Sequence, residues 1–447
     1  MRIHLIAIGG SAMHNLAIAL HKKGFNITGS DDVIFNPSKD RLAKHNLLPK
    51  NGWFPENISC DINIIILGMH AKEDNPELVE AKKLGLKIYS YPEYLYEQSK
   101  NKKRIVIGGS HGKTTITAMI LHVLKNLNIK CDFMIGAQIK GVNTMVKLSN
   151  DSDIILLEGD EYLSSAIDKR PKFHLYKPHI AVITGIAWDH INVFPTFEIY
   201  KEQFRIFSKM VKESLIFFSE DKELQKIIDE TRKYKKSIAY STPKFIIKNN
   251  QTIVAGKRLK IFGKHNLQNL VAAKIVCNEI GIKDDIFFNE IISFTGAHNR
   301  LELISKNKTC SIYKDFAHSP SKLKATIDAM KLQFFNKKLT ACMELHTFSS
   351  LNINFINEYK DCMNQADEAI VYINPETIKN KKLKQISNEM IYKAFNSKEI
   401  IVFNNSKELK KYLLSKEWNN HNLLMMSSGN FNNLQLTDIF KLKNENI

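Results

Sequence analysis

The sequence has no long apolar run. None of its apolar stretches approaches the roughly 20 residues that a membrane-spanning helix requires. The opening segment, MRIHLIAIGG, is too short an apolar stretch for a secretory signal and ends in glycines. We therefore expect a cytoplasmic protein without a membrane partner.

Cysteines are few and scattered. They form no C-x-x-C pair, and none lies near clustered histidines, so neither a zinc site nor a disulfide framework is expected. We expect reduced thiols at Cys60, Cys131, Cys277, Cys310, Cys342 and Cys362.

Acidic residues are fewer than basic residues. The chain has 46 Asp and Glu against 64 Lys and Arg, which gives a formal net charge of +18. Such a charge suits nucleic acid or small anionic substrates. The lysines are spread over the whole chain and form no basic stripe with interleaved aromatics. We therefore expect anionic small-molecule substrates and no nucleic-acid partner.

The N-terminal segment lacks the G-x-G-x-x-G fingerprint of dinucleotide-binding proteins, because Ala12 and Asn15 stand where further glycines are expected. The surrounding pattern is nevertheless strand, glycine turn, helix, strand, and Asp31 follows the turn by about 20 residues. This pattern predicts a looser turn that binds a nucleotide-containing ligand, and it disfavours NAD.

The stretch KRIVIGGSHGKTTIT predicts a phosphate-binding loop. A short apolar strand ends in glycines, Gly109–Thr115 follows, and an apolar-periodic helix begins. In this context Lys113 is expected to reach terminal phosphates and Thr114 to hold Mg²⁺. The match to G-x-x-x-x-G-K-[ST] is imperfect, since its first glycine falls on Ile107. A plain glycine turn remains the alternative.

Two later strands end in groups that suit a Mg²⁺ site. Glu158 follows a strand at 154–157, and His190 lies just past a strand at 180–184. Acids at the carboxyl end of a parallel strand beside a phosphate loop can bind Mg²⁺. The alternatives are a solvated acidic turn and a structural histidine.

The rest of the chain continues the strand–helix alternation of an α/β protein. Signals are weaker over 205–260, where alternating short strands are expected. Asn266 and Asn269 lie three apart on one helix face, where amides could bind an adenine edge or serve as caps. A third domain is expected from Arg300, with a final helix opening at Ser428–Phe431.

Taken together, the motifs resemble the Mur ligase family of ATP-dependent amide ligases, over nearly the whole chain and in family order. They are GSHGKTT at 109–115, LEGDEY at 157–162, WDH at 188–190, GKHNLQN at 263–269, RLE at 300–302 and KDFAHSP at 314–320.

The resemblance implies three α/β domains with different ligands. A Rossmann-like domain, 1–102, would bind a UDP-sugar, and a P-loop ATPase-like domain, 103–299, would bind ATP and Mg²⁺. A Rossmann-like domain, 300–447, would bind the incoming amine. The expected substrates are UDP-N-acetylmuramate and either a tripeptide or L-alanine, on a monomer or a homodimer.

Residue roles follow from the same resemblance. The catalytic residues would be Lys113, Glu158, His190 and Arg300, and the Mg²⁺ ligands Thr114, Glu158 and His190. The ATP-binding residues would be Gly109, Ser110, His111, Gly112, Lys113, Thr114, Thr115, Asn266, Asn269, Arg300 and Asp315. The substrate-binding residues would be Gly10, Ser11, Ala12, Met13, Asp31, His70, Tyr162, His318, His346, Gly429 and Asn430.

Two branches of the family compete. The segments 160–162 and 168–173 are similar to the murein peptide ligase branch, which recycles L-Ala-γ-D-Glu-meso-diaminopimelate. The H-R-Y-T-R segment of the alanine-adding branch is replaced by Glu344–Phe348. We therefore predict the recycling ligase, with the UDP-N-acetylmuramate--L-alanine ligase as the alternative.

Three departures from the family pattern remain. Asn299-Arg300 replaces a paired arginine, Lys314-Asp315 replaces a tandem aspartate, and no lysine near Arg205 matches the one that some relatives carbamylate. From a different class, a P-loop NTPase without ligase activity would turn over ATP without an amine.

Overall fold

The computed structural model describes residues 1–137, 142, 144–188, 193–231, 236–297 and 299–435. The chain forms two compact units. The first comprises Met1–Thr242 with Gln268–Ile291, and the second Pro243–Leu267 with Ile292–Ile447. In the described part of the chain, no helix is long and apolar enough to cross a membrane.

The first unit begins with a four-stranded parallel sheet in the order β2-β1-β3-β4. Its carboxyl edge carries the glycine turn after β1, Asp31 after β2 and His70 after β3. The strands are β1 (Arg2–Ile6), β2 (Asn26–Ser30), β3 (Ile64–Leu67) and β4 (Ile88–Ser90).

A seven-stranded sheet follows in the same unit, in the order β11-β10-β9-β5-β8-β6-β7, with only β7 antiparallel to its neighbour. Its strands are β5 (Lys103–Gly108), β6 (Asp132–Met134), β7 (Val146–Lys147), β8 (Ile154–Glu158), β9 (Ile180–Ile183), β10 (Ser214–Phe218) and β11 (Lys236–Tyr240). The register sets Ile107 beside Glu158 and Gly108 beside Ile183, so the phosphate loop, Glu158 and the end of β9 share one edge.

Helices of the first unit pack apolar faces against these sheets. In α8, for example, Leu224, Ile227 and Ile228 are buried at helical spacing. The helices are α1 (Ser11–Lys22), α2 (Ser38–Ala43), α3 (Pro76–Lys83), α4 (Tyr91–Gln98), α5 (Lys113–Asn126), α6 (Lys172–Leu175), α7 (Phe197–Met210), α8 (Lys222–Thr231) and α10 (Asp284–Ile291). The unit boundary falls inside α9 (Lys264–Glu279).

The second unit has a small antiparallel sheet and a six-stranded sheet in the order β15-β16-β20-β17-β18-β19. The strands are β12 (Ile246–Lys248), β13 (Gln251–Val254), β14 (Lys257–Leu259), β15 (Glu302–Lys306), β16 (Ser311–Asp315), β17 (Lys338–Leu345), β18 (Glu368–Ile373), β19 (Ile401–Phe403) and β20 (His421–Met426). Strand β20 comes last in this series but lies between β16 and β17, parallel to both. The carboxyl ends of these three strands therefore meet, which is where α/β sheets bind ligands.

The helices of the second unit are α11 (Pro320–Gln333), α12 (Pro375–Asn380), α13 (Asn388–Ala394) and α14 (Ser406–Ser415). The predicted α/β class is confirmed. The short strands expected over 205–260 are present as β10, β12 and β13. The prediction missed two helices in that range, the C-terminal part of α7 and all of α8, whose apolar residues lie three and four apart. Residues 431–433 form a turn, and a final helix beyond 435 would lie outside the described residues.

Candidate active site

The predicted phosphate loop joins β5 to α5 and is closely packed. Gly109 and Gly112 have φ of 111° and 79°, in the left-handed region that favours glycine. A Cβ on Gly109 would lie 2.3 Å from Thr184 Oγ1, and one on Gly112 would lie 2.2 Å from Asn269 Oδ1. Both positions therefore require glycine for conformation and for space.

The end of β9 holds this loop in place. The Ser110 N–H donates to the Gly185 carbonyl at 3.0 Å, and the Ser110 hydroxyl donates to Ala187 O at 2.8 Å. The Thr184 hydroxyl donates to the His111 carbonyl. A loop fixed in this way leads directly into the N-terminus of the 14-residue helix α5, which is a favourable place for phosphate.

Lys113 begins α5 and is held between a carbonyl and a carboxylate. Its Nζ donates to Gly109 O at 2.6 Å and to Glu161 Oε2 at 2.9 Å. Burial disfavours the ammonium form, but Glu161, Asp160 and Glu158 outweigh that effect and raise the pKa of Lys113. Lys113 is therefore a fixed positive charge at the loop.

Two oxygen-bearing side chains beside Lys113 suit a Mg²⁺ ion. The Thr114 hydroxyl donates to Glu158 Oε1 at 2.8 Å, and Glu158 Oε2 accepts from the Gly136 N–H at 2.7 Å. Hydroxyl and carboxylate oxygens are the ligands that Mg²⁺ prefers. The third predicted ligand, His190, lies outside the described residues. Among the described residues, no group of three or more His, Cys, Asp or Glu could hold a metal.

The remaining predicted ATP ligands are divided between the two units. Thr115 is buried in α5, and Asn269 packs against Gly112 in the first unit. Asn266 belongs to the second unit, where its amide donates to the Phe262 carbonyl at 2.9 Å. This bond reaches back four residues and is not an N-cap, in which a side-chain oxygen would accept from a backbone N–H.

At the edge of the four-stranded sheet, Asp31 is joined to the glycine turn. Its Oδ2 accepts from the Gly9 N–H at 2.7 Å. Burial and the neighbouring Asp32 raise the pKa of Asp31 to about 6. The predicted substrate residues Gly10, Ser11, Ala12 and Met13 cap and begin α1 at the same edge, and His70 is exposed after β3.

Tyr162 follows Asp160 and Glu161 in the acidic run after β8. The ammonium of Lys172 lies 5.8 Å from the centre of its ring and also pairs with Asp160 at 2.6 Å. Arg170 in the same segment pairs with Asp168 at 2.6 Å and Glu93 at 3.1 Å. Ion pairs thus hold the segment 168–173, which is similar to the recycling branch, in place within the first unit.

In the second unit, Arg300 and Asp315 lie on interacting segments. The Arg300 guanidinium stacks over the Phe316 ring at 4.7 Å. Asp315 accepts from the N–H groups of Leu301 and Ala317, both at 2.7 Å. His318 donates through Nδ1 to the Phe316 carbonyl at 2.7 Å. Asp315 therefore fixes the backbone that carries both Arg300 and His318.

The ends of β17 and β20 converge on Gly429. A Cβ there would lie 2.7 Å from His346 Cδ2 and 2.8 Å from Glu344 Oε2. Glu344 is 2% exposed, and its Oε2 accepts from the Phe431 N–H at 2.9 Å and from the Ser427 hydroxyl. The predicted residues His346 and Gly429 therefore lie together around a buried carboxylate. Asn430, next along the turn, is exposed and donates to Asn433 Oδ1.

Three residues of these sites were given no role by the sequence. Glu161 lay in the quoted acidic run but looked like any other surface acid. Tyr200 lies in a helix that the sequence did not predict, and its hydroxyl donates to Glu161 Oε1 at 3.0 Å. Glu344 was noted only as part of a departure from the family pattern. An acid at the carboxyl end of a buried strand is the signal that could have found it.

Comparison with known families gives two matches. The Mur ligase family, catalytic domain, matches residues 2–103, and the Mur ligase middle domain matches residues 107–277. A UDP-N-acetylmuramate--L-alanine ligase of Clostridium botulinum is 30% identical over 451 residues, covering 96% of this chain and 95% of that protein.

Solved structures agree on the fold over the full length. A UDP-N-acetylmuramate-alanine ligase of Thermotoga maritima has a TM-score of 0.73 at 20% identity and covers 97% of both chains. A murein peptide ligase of Psychrobacter arcticus has a TM-score of 0.63 at 21% identity and covers 99% of both. The predicted three-domain fold is confirmed. The curated relatives favour the alanine-adding alternative over the recycling branch that we predicted.

Sequence identity over nearly the whole chain, two matched family domains and a phosphate loop with its lysine and carboxylates agree with one another. The chain therefore belongs to the Mur ligase family and is an ATP-dependent ligase of peptidoglycan synthesis that forms a carbon–nitrogen bond.

Proposed function

We propose that the protein joins L-alanine to UDP-N-acetylmuramate, with conversion of ATP to ADP and phosphate. The observation that carries this proposal is the 30% identity to an alanine-adding ligase over 96% of the chain. The phosphate loop supports ATP use, but it does not distinguish between the amines that such a ligase could take. The choice of amine therefore depends on the second unit.

The first half of the reaction activates a carboxylate. A carboxylate and an amine form only a salt at neutral pH, so the sugar's carboxylate attacks the γ-phosphate of ATP and becomes an acyl phosphate. Lys113 and the loop N–H groups stabilise the charge on the transferred phosphoryl group. Thr114, Glu158 and, by the sequence prediction, His190 would hold Mg²⁺, which neutralises phosphate charge.

The sugar nucleotide is proposed to bind at the edge of the four-stranded sheet. Residues 10–13 begin α1, whose N-terminus suits a diphosphate. Asp31 would accept hydrogen bonds from the uridine, and His70 lies after the adjacent strand. This assignment makes 1–102 the UDP-sugar domain, 103–299 the ATP domain and 300–447 the amine domain.

The second half of the reaction forms the amide. The free amine attacks the acyl phosphate, loses a proton, and phosphate leaves. We assign the amine to the Glu344, His346 and Gly429 cluster, since a carboxylate attracts an ammonium group and a neutral imidazole can accept its proton. Arg300 would contribute charge to the phosphates, and Asp315 would hold its segment.

A second candidate is the tripeptide ligase of the recycling branch. The segment 168–173, which is similar to that branch, favours it because it carries the cations Arg170 and Lys172, although both are paired with carboxylates of the chain. Such an ordered charged segment could accept the additional carboxylates of a tripeptide. The same segment could equally be a structural clasp in an alanine ligase.

Phosphate release distinguishes these functions. Purified protein is given ATP, Mg²⁺ and UDP-N-acetylmuramate, with either L-alanine or L-Ala-γ-D-Glu-meso-diaminopimelate as the amine. We expect release with alanine and only traces with the tripeptide. A preference for the tripeptide would replace the proposal with the recycling ligase. Release without sugar or amine would contradict both and indicate an NTPase.

A further inference from the structure

The ammonium of Lys113, at the phosphate loop, has an anionic partner in the segment that follows β8. Its Nζ lies 2.9 Å from Glu161 Oε2, and the two side chains are 16% and 1% exposed. An ammonium group buried to this extent needs a counter-charge. Glu161 supplies that charge.

Glu161 is held from its other side. The Tyr200 hydroxyl donates to Glu161 Oε1 at 3.0 Å and lies 3.2 Å from the Ser110 hydroxyl. Tyr200 is fully buried in α7 and packs against Phe204 and Phe194. The carboxylate is therefore fixed by a rigid aromatic side chain rather than by chance surface contact.

We propose that Glu161 is a positioning residue of the nucleotide site. Its carboxylate is the counter-ion of Lys113, and the terminal phosphates of ATP take Lys113 from it on binding. Tyr200 contacts Oε1, whereas Lys113 contacts Oε2. The Tyr200 contact can therefore remain after the exchange and keep the released carboxylate hydrogen-bonded.

The exchange has a cost in affinity. A ligand that binds only the fraction of molecules with a free Lys113 has its Kd raised by the inverse of that fraction. If Glu161 occupies Lys113 in about nine-tenths of molecules, the Kd for ATP is raised about tenfold. In return, Lys113 stays aimed at the loop instead of turning away before ATP arrives.

The test is a titration of ATP with Mg²⁺ by calorimetry, without sugar or amine, so that no amide forms. We expect E161Q to lower the Kd for ATP about tenfold and to lower the unfolding temperature of the nucleotide-free protein. Y200F should shift the Kd in the same direction by about twofold to threefold, because it removes only the donor to Oε1.

D132N is the matched control. Lys102 and Asp132 form a buried pair in the same unit, with Nζ 2.6 Å from Oδ2. This variant should lower the unfolding temperature without changing the Kd for ATP. An unchanged or higher Kd in E161Q would overturn the proposal. If E161Q does not fold, an unchanged or higher Kd in Y200F would overturn it. Neither result depends on which amine the ligase uses.

Discussion

Two sheet edges in this protein hold buried carboxylates by different means. At the end of β8, Glu161 pairs with the ammonium of Lys113. At the end of β17, Glu344 accepts hydrogen bonds from the neutral Ser427 hydroxyl and the Phe431 N–H. The first edge thus holds an ammonium group, that of Lys113, which can bind a phosphate. The second presents a negative charge, which suits an amine.

Glycine serves a different purpose at the two edges. Gly109 and Gly112 have positive φ and no space for a side chain. At Gly429 only the space is limiting, because His346 and Glu344 approach its Cα closely. The first loop therefore requires glycine for its backbone conformation and for space. The second requires glycine only because the side chains of His346 and Glu344 lie close to it. Substitutions at each edge should affect different substrates.

The largest effect is expected at the first edge. K113M removes the charge that stabilises the transferred phosphoryl group, so amide formation should fall about a thousandfold. K103M is the matched control, since Lys103 begins β5, the strand that leads into the loop, and forms an exposed pair with Glu213. It should retain activity within about twofold.

K113M also leaves Glu161 buried without its cation, which can destabilise the protein. The double variant K113M/E161Q removes both charges and should recover the unfolding temperature without recovering activity. If the double variant were active, Lys113 would not be the phosphate-binding lysine.

A smaller and more selective effect is expected at the second edge. The Cβ added by G429A would lie 2.7 Å from the His346 ring and 2.8 Å from Glu344 Oε2, so both groups must move. We expect kcat/KM for the amine to fall about tenfold to a hundredfold. The Kd for ATP should stay unchanged. A loss of ATP affinity as large as the loss of kcat/KM for the amine would mean that the two edges are not separate in function.

The sequence predicted much of the first edge because local rules determine it. A strand, a glycine loop with Lys113 and a helix are consecutive in the chain, and Glu158 ends a buried strand. Long-range contacts were not predictable in this way. Tyr200 reaches Glu161 from a helix 39 positions later, and Ser427 reaches Glu344 over 83 positions.

The second edge also depends on strand order. Because β20 inserts between β16 and β17, Gly429 lies beside His346 although the chain separates them widely. The choice between the two branches of the family, and so the amine substrate, was harder still to predict. The residues 168–173 favoured the recycling ligase, but their contacts with Asp160 and Glu93 would hold that segment in either branch.

The smallest expected effect concerns Asp31, a buried carboxyl held by backbone N–H groups, as Glu344 is in part. Its pKa is raised to about 6, above its value of about 3.9 in the unfolded chain. Between pH 4 and 6 Asp31 therefore binds more protons in the folded state, and its contribution to the free energy of unfolding should fall as pH rises.

We expect the free energy of unfolding of wild type to fall, relative to that of D31N, by on the order of 1 kcal/mol across this range. Denaturant unfolding at pH 4, 5 and 6 measures it. D40N, the same substitution on α2 of the same sheet region, should keep the wild-type slope. A D31N protein with an unchanged slope would assign the titration to another group.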